Sequence, residues 1–333
     1  MITLENESLV FRFPEVHEAA RCSIDFQRTL RIPDDGADYF LPPGLGSFPL
    51  RHLDDYARQA PRDWLQRGGV LMPMHQAEAM WISFGAESYP FAVKIAAGKT
   101  CALTGDAWAN HLNTDPQDYL VLPEQPWLDG FCVAKGIVRQ FVAMPLGEGY
   151  SVEEQLTGAA EHGGLQIIAY PMKAERYAEM VADPGEDADV VYGPVQVSAP
   201  LDMGLAPGGR MRQEIYEDEY GLDAWDQRHA SRCFVTIANS TQWMALTGER
   251  PPTDPPKARD YTEAGLPWFD YYGGDLKALE ETEKMRGFVS LAQLGSQKGQ
   301  TPLPDNESMD AANVVTLRAA SATQVREMPG GGA

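Results

Sequence analysis

The sequence predicts a mainly β protein with some α-structure, built as a β-sandwich or barrel-like core with scattered short helices and long loops. Alternation of apolar and polar residues with a period of two is clearer along the chain than the helical period. Glycine and proline separate the short apolar runs, as turns do between strands. The regular exchange of helix and strand that marks a doubly wound sheet is missing, and no internal repeat indicates a solenoid or a propeller.

The first strand is predicted at residues 22–32, where apolar side chains alternate with polar ones. A turn at residues 33–36 ends this strand, because proline cannot donate to a strand ladder and glycine accepts a positive φ. Residues 37–69 are rich in proline and glycine, which predicts an extended wrapping segment. A short helix near residues 53–65 is the one expected exception.

Further apolar runs predict the remaining strands, and a tight turn at residues 97–98 indicates that two of them form a hairpin. Ser151 and Glu154 have the spacing of a capping box, so a short helix should begin there and end at Gly158. A second short helix is expected at residues 174–181, and residues 276–285 carry charges at helical spacing. The predicted strands are residues 79–84, 91–95, 100–103, 119–122, 131–144, 165–170, 211–216 and 233–238.

The chain length of 333 residues predicts one large β-rich unit at residues 1–292. Residues 182–210 contain prolines, glycines and an acidic cluster, so we expect a long surface connection there and, as an alternative organisation, a subdivision of the unit. Residues 293–333 end in a glycine-rich stretch, which predicts a peripheral or mobile tail. Within that tail, residues 313–317 are apolar enough to dock as a strand.

The net charge of −21, from 48 acidic and 27 basic residues, should repel phosphate backbones and anionic bilayers. Nucleic acid is not an expected partner, and basic residues interrupt the most apolar stretches, so membrane insertion is not expected either. The N-terminal residues are acidic where a signal peptide needs basic ones, and the four cysteines have no paired spacing. We therefore expect a soluble protein of the cytoplasm.

The chain lacks the common catalytic motifs, including phosphate-binding loops, dinucleotide fingerprints, nucleophile elbows and zinc-protease helices. No cofactor and no metal are expected. The densest polar region surrounds Glu161 and His162, an acid and an imidazole in a glycine-bounded loop beside a predicted strand. Histidine exchanges protons near neutral pH, so these two residues are a candidate catalytic acid–base pair. The alternative is that they have a surface or packing role.

Four other residues are candidate ligand contacts. Arg28 lies on the apolar face of the first strand, where a guanidinium needs a carboxylate or several carbonyl groups. It forms either a structural ion pair or part of an anion-binding pocket, and Lys135 and Arg139 present the same alternatives on a later strand. Trp127 lies beside a proline in loop-like sequence, where its ring either stacks on a sugar or a partner or packs in the core.

Several strings of the sequence resemble a family of uncharacterised proteins of bacteria and fungi. Some members of that family are labelled integral membrane proteins, a label that this sequence contradicts because it has no spanning segment. The family has no known activity, so the resemblance implies no catalytic residue. The strings span most of the chain and are IDFQRTLRIPDDG at residues 24–36, PEQPWLDG at 123–130, EEQLTG at 153–158, EHGGLQ at 161–166 and GLPWFDYY at 265–272.

Two classes of function remain. The first is a binding or structural protein whose β-rich body self-associates into a homo-oligomer or binds a small polar ligand. The second is a metal-independent enzyme for a small polar substrate, with Glu161 and His162 as the acid–base pair. A deep pocket with converging polar side chains would favour the enzyme, whereas a flat apolar patch repeated across a symmetric contact would favour assembly.

Overall fold

The computed structural model describes residues 1–86, 88–182, 203–272, 276–301, 303, 305–311 and 313–318. The protein is mainly β, with 37% strand and 18% helix. In these ranges it has several sheets, few short helices and no closed barrel. These features confirm the predicted fold class. The predicted acidic cluster at residues 186–189 and the last part of the predicted tail, residues 319–333, lie outside the described residues.

The larger sheet has ten strands. They are β1 (Ile2–Glu5), β2 (Ser8–Arg12), β3 (Arg21–Thr29), β4 (Asp38–Tyr39), β5 (Gly44–Ser47), β8 (Ala79–Ala86), β12 (Trp127–Leu128), β13 (Gly130–Ala134), β14 (Ile137–Pro145) and β16 (Met203–Arg212). The main order is β1-β2-β3-β8-β14-β16-β4, while β5 pairs with β3, β12 with β8 and β13 with β14. Pairing is antiparallel except between β16 and β4.

The second sheet has seven strands, which are β6 (Arg51–His52), β7 (Val70–Pro73), β9 (Phe91–Ala97), β10 (Thr100–Cys101), β11 (Leu120–Leu122), β15 (Leu165–Pro171) and β17 (Ser231–Ala238). Its main order is β10-β9-β15-β17-β7-β6, and β11 also pairs with β9. Strands β9 and β10 pair in an antiparallel register across the predicted tight turn, which confirms the hairpin. Strand β17 runs parallel to β7.

The helices are short. They are α1 (Arg62–Arg67), α2 (Val152–Thr157), α3 (Ala174–Ala182), α4 (Ser240–Thr247), α5 (Ala258–Glu263), α6 (Glu283–Arg286) and α7 (Leu291–Gln297), with 3-10 turns at Leu53–Tyr56 and Leu222–Ala224. Helix α2 begins at the predicted capping box of Ser151 and Glu154 and ends at Gly158 in the left-handed conformation. The helical spacing at residues 276–285 produces a helix only at its end, in α6.

Both large sheets contribute to one hydrophobic core. Ile24 and Phe26 of β3 belong to the same buried cluster as Ile95 of β9 and Ile167 of β15. The first half of β3 alternates between half-buried and buried positions, as its sequence predicts. Every residue of β9 and β15 is buried, so these strands are covered on both faces. Polar groups that lie beside β15 are therefore held by a rigid part of the molecule.

The predicted surface connection at residues 182–210 is wrong for its second part. Strand β16 (Met203–Arg212) is largely buried and pairs with both β14 and β4. Its glycines permit close packing, since a Cβ at Gly209 would lie 2.3 Å from the carbonyl oxygen of Pro33 and one at Gly208 would lie 2.5 Å from a side-chain carbon of Val142. The first part of the predicted connection, residues 183–202, lies outside the described residues.

The described part of the C-terminal segment contacts the body of the protein. Strands β18 (Trp268–Tyr272) and β19 (Val314–Arg318) form a two-stranded parallel sheet, which confirms the strand predicted at residues 313–317. The Arg31 guanidinium donates a hydrogen bond to the side-chain oxygen of Asn306 at 2.8 Å. Residues well beyond position 292 therefore pair with the chain that precedes them.

Candidate active site

Helix α2 carries a buried carboxylate on its first turn. The side chain of Glu153 is only 3% exposed. Its Oε2 accepts hydrogen bonds from the backbone N–H of His162 at 3.2 Å and of Gly163 at 2.9 Å. Gly98 has a φ of +57°, and a Cβ there would lie 2.3 Å from Oε2. Glu153 is thus enclosed by backbone, and it fixes the loop between α2 and β15.

The same carboxylate holds the imidazole of His162. Glu153 Oε1 lies 3.1 Å from His162 Nδ1, and the His162 side chain is 22% exposed. A carboxylate at Nδ1 favours the tautomer with its proton on Nδ1. His162 Nε2 is then a hydrogen-bond acceptor, and it has no hydrogen-bond partner among the described residues. The arrangement supplies an oriented imidazole with one ring nitrogen available.

The predicted pair of Glu161 and His162 is adjacent in space, with Glu161 Oε2 at 3.8 Å from His162 Nδ1. Glu161 is 65% exposed, however, and the closer and more buried carboxylate belongs to Glu153. The sequence indicates no role for Glu153, because the capping box explains its neighbours Ser151 and Glu154. Its only signal was an acidic residue on the first turn of a helix, a common position for acids at a helix N-terminus.

A small cavity that is open to solvent lies beside His162, with enclosed space of about 10 Å³, enough for about one water molecule. Most of its lining residues have apolar side chains, but polar atoms form the larger part of its exposed surface. One polar wall group is the hydroxyl of Thr236, whose Oγ1 is buried and has no hydrogen-bond partner in the part of the chain that the structure describes. Besides His162 and Thr236, the lining residues are Trp64, Leu146, Gly164, Met203 and Ile237.

The basic ligand candidates do not converge with His162. Arg28 is buried and donates from Nε to Glu78 Oε1 at 2.6 Å, which favours the structural ion pair over the anion pocket. Arg139 donates to Asp34 at 3.2 Å and to the carbonyl of Gly208 at 2.9 Å. The exposed Lys135 pairs with Glu280 at 2.7 Å. Their assignment as ligand contacts stays a prediction, and the contacts they make are internal ones.

Trp127 lies away from the His162 cavity, in the lining of a second cavity. Its indole N–H donates to Asp129 Oδ2 at 2.6 Å, and its ring meets that of Tyr271 edge-to-face at 4.6 Å. Burial raises the pKa of Asp129 to about 7, against the opposing effect of the hydrogen bond from Trp127. The ring of Trp127 is therefore anchored at its polar end and half-buried.

Comparison with known proteins adds no assignment, since no family model, curated protein or solved structure matches the chain. The resemblance to the uncharacterised family stays a prediction. The described residues contain no group of three or more His, Cys, Asp or Glu side chains arranged to hold a metal ion. Within the same ranges, every helix is too short or too polar to cross a bilayer.

Proposed function

We propose that the chain is an enzyme that uses His162 as a general acid–base on a small substrate in the adjacent cavity. The observation that carries the proposal is the hydrogen bond from His162 Nδ1 to the buried carboxylate of Glu153, which leaves Nε2 without a partner among the described residues. Catalytic histidines need this combination of a fixed ring and an available nitrogen.

The chemistry follows from the tautomer. Glu153 accepts a hydrogen bond from Nδ1–H, so the proton stays on Nδ1 and the lone pair of Nε2 can take a proton from an O–H or an activated C–H group of the substrate. The imidazolium that forms is stabilised by the Glu153 carboxylate and later returns the proton to the product. Such a step contributes roughly 10²–10⁴-fold to a rate.

The enclosed space beside His162 is about 10 Å³, close to the size of one water molecule, so only a small polar reacting group of a substrate enters it. Trp64, Leu146 and Ile237 supply apolar walls. The Thr236 hydroxyl can donate a hydrogen bond to a substrate oxygen or accept one from a substrate O–H. A buried hydroxyl without a partner costs stability, and a hydrogen bond with the substrate would remove that cost.

The cytoplasm is the compartment that fits this proposal. Cys22, Cys101, Cys132 and Cys233 are free and buried, as expected for thiols of a reducing compartment. The net charge of −21 argues against nucleic acid as a partner. Self-association stays a prediction, which sedimentation velocity can test.

The test compares the wild-type protein with His162→Gln in a defined mixture of short-chain alcohols, aldehydes, ketones and esters, followed by proton NMR. Wild-type protein should consume at least one component, and His162→Gln should lower that rate by about 100-fold or more. His111→Gln is the matched control, because His111 is exposed and its imidazole makes no hydrogen bond to the described residues. No consumption, or equal consumption by His162→Gln, would contradict the proposal.

A further inference from the structure

A second cavity lies at the edge of the ten-stranded sheet, where β12, the end of β16 and β18 meet. It is a small cleft open to solvent, with enclosed space of about 10 Å³, so a ligand would lie largely at its mouth; its lining includes Leu41, Pro126, Trp127, Arg212 and Tyr271. It shares no lining residue with the cavity at His162. This cavity is therefore separate from the proposed acid–base site.

The cation of this cavity is Arg212, the last residue of β16. Its side chain is exposed, and its guanidinium lies over the ring of Phe40 at 4.6 Å. It forms no ion pair within the described part of the chain, although Glu214 also lines the cavity. By contrast, Arg210, two residues earlier on the same strand, pairs with Asp38 at 2.5 Å.

Other described arginines, such as Arg58 and Arg62, also have no acidic partner within the described residues, but Arg212 is the one that lines this cavity. Stacking on the Phe40 ring fixes the orientation of the Arg212 guanidinium and leaves its N–H groups available to bind an anion. A carboxylate is the small anion that matches this planar fork with two parallel hydrogen bonds.

The aromatic walls supply the second recognition element. Trp127 is held at its N–H by Asp129, and Tyr271 packs edge-to-face against it. The hydroxyl of Tyr271 makes no hydrogen bond with the described residues. Because both rings are already held in place, a ligand that packs on their apolar faces loses little side-chain entropy on binding. The Tyr271 hydroxyl supplies a polar group beside these faces.

We propose that the cavity lined by Trp127, Arg212 and Tyr271 binds a small carboxylate that carries a flat ring. The carboxylate pairs with the Arg212 guanidinium, and the ring packs against Trp127 and Tyr271. Both aromatic acids and sugar acids present this chemistry, and the choice of probes separates them.

The test measures binding of benzoate and of glucuronate by isothermal titration calorimetry and saturation-transfer NMR, at probe concentrations up to about 10 mM, where weak binding is still measurable. Binding of benzoate alone identifies aromatic acids as the class, and binding of glucuronate alone identifies sugar acids. Benzamide is the neutral control, which should bind at least about tenfold more weakly than benzoate, since it cannot form the charged pair.

Variants localise the site. Arg212→Gln should weaken binding by about tenfold or more, while the matched control Arg210→Gln should stay within about twofold, because only Arg212 lines the cavity. Melting curves check that both variants fold. The proposal is overturned if neither probe binds, if benzamide equals benzoate while glucuronate fails, or if Arg212→Gln binds the probes as wild type does.

Discussion

The hydroxyl of Thr236 offers the sharpest test of the candidate active site. Thr236 lies on β17 and is 4% exposed, and its Oγ1 has no hydrogen-bond partner among the described residues although it lines the His162 cavity. Thr236→Val replaces this hydroxyl with a methyl group of nearly the same shape. The substitution therefore removes a polar group without opening space in the core.

The expected change in stability is a gain. A buried polar group without a partner costs about 1–3 kcal/mol, and an apolar group of the same shape relieves that cost. We expect Thr236→Val to raise the free energy of unfolding by about 1 kcal/mol. If the hydroxyl contacts substrate, the same variant should lower turnover by about tenfold, which corresponds to about 1.4 kcal/mol.

Thr29→Val is the matched control. Thr29 is a fully buried strand residue whose hydroxyl donates to the carbonyl of Pro43 at 2.9 Å. The control should lose about 1 kcal/mol, because it removes a satisfied hydrogen bond. In urea unfolding, the free energy of unfolding should therefore be higher than wild type for Thr236→Val and lower for Thr29→Val, so that the two variants differ by about 2 kcal/mol.

The result that would refute this reasoning is a loss of stability in Thr236→Val comparable to that in Thr29→Val. Such a loss would mean that the Thr236 hydroxyl is satisfied in solution and is part of the structural hydrogen-bond network. A stable Thr236→Val variant with unchanged turnover would leave the stability argument intact and remove Thr236 from the active site.

Three other outcomes follow from the geometry. Asp129→Asn should be more stable than wild type by up to about 4 kcal/mol above pH 7 and about equal near pH 4. The pKa of about 7 in the folded state lies above the unfolded value, so the free energy of unfolding of the wild type falls as the pH rises between these two values and the buried carboxyl ionises. A stability difference in urea titrations that does not vary with pH would contradict this. Gly98→Ala should cost about 2 kcal/mol and reduce turnover by displacing Glu153, whereas Gly158→Ala, with a similar φ but no neighbour within 4 Å, should cost less and keep its activity. Deletion of residues 296–333 removes β19 and should lower the melting temperature by about 5–10 °C in calorimetry, and a shift within about 2 °C would show that the pairing with β18 adds little.

Local signals in the sequence predicted the local structure well. The alternation at residues 22–32 predicted most of β3, and the capping box of Ser151 and Glu154 predicted the start of α2. Both signals depend on neighbours within a few residues, where side-chain direction and capping chemistry are decided by the backbone conformation. The hairpin of β9 and β10 was predictable for the same reason.

Strand β16 could not be predicted, because its glycines and proline are typical of a loop and only its tertiary contacts explain them as part of a strand. Gly204, Gly208 and Gly209 lie so close to Leu146, Val142 and Pro33 that there is no space for a Cβ atom. Pro207 lies where the register of β14 and β16 shifts, and such irregularities tolerate a residue without an N–H donor. Close packing and an irregular register thus require the same glycines and proline in β16 that are typical of a surface loop.

The partner of His162 was unpredictable for a related reason. Glu153 and His162 are separated by the end of α2 and a glycine-containing loop, so their contact depends on how that loop returns along β15. The sequence located the histidine but favoured its immediate neighbour Glu161. Arg212 was missed because the absence of an acidic partner becomes visible only when the side chains around it are placed.

Parallel pairing of distant segments makes the order of synthesis matter for this protein. Strand β4 (Asp38–Tyr39) pairs with the end of β16, and β7 (Val70–Pro73) pairs with β17, so early strands wait for segments made more than 150 residues later. Until β16 emerges, one edge of β14 has no neighbour, and bare edges of apolar strands recruit other chains. A nascent chain halted before residue 203 should therefore depend on chaperones, and fragments divided at that point should be insoluble unless both are produced together.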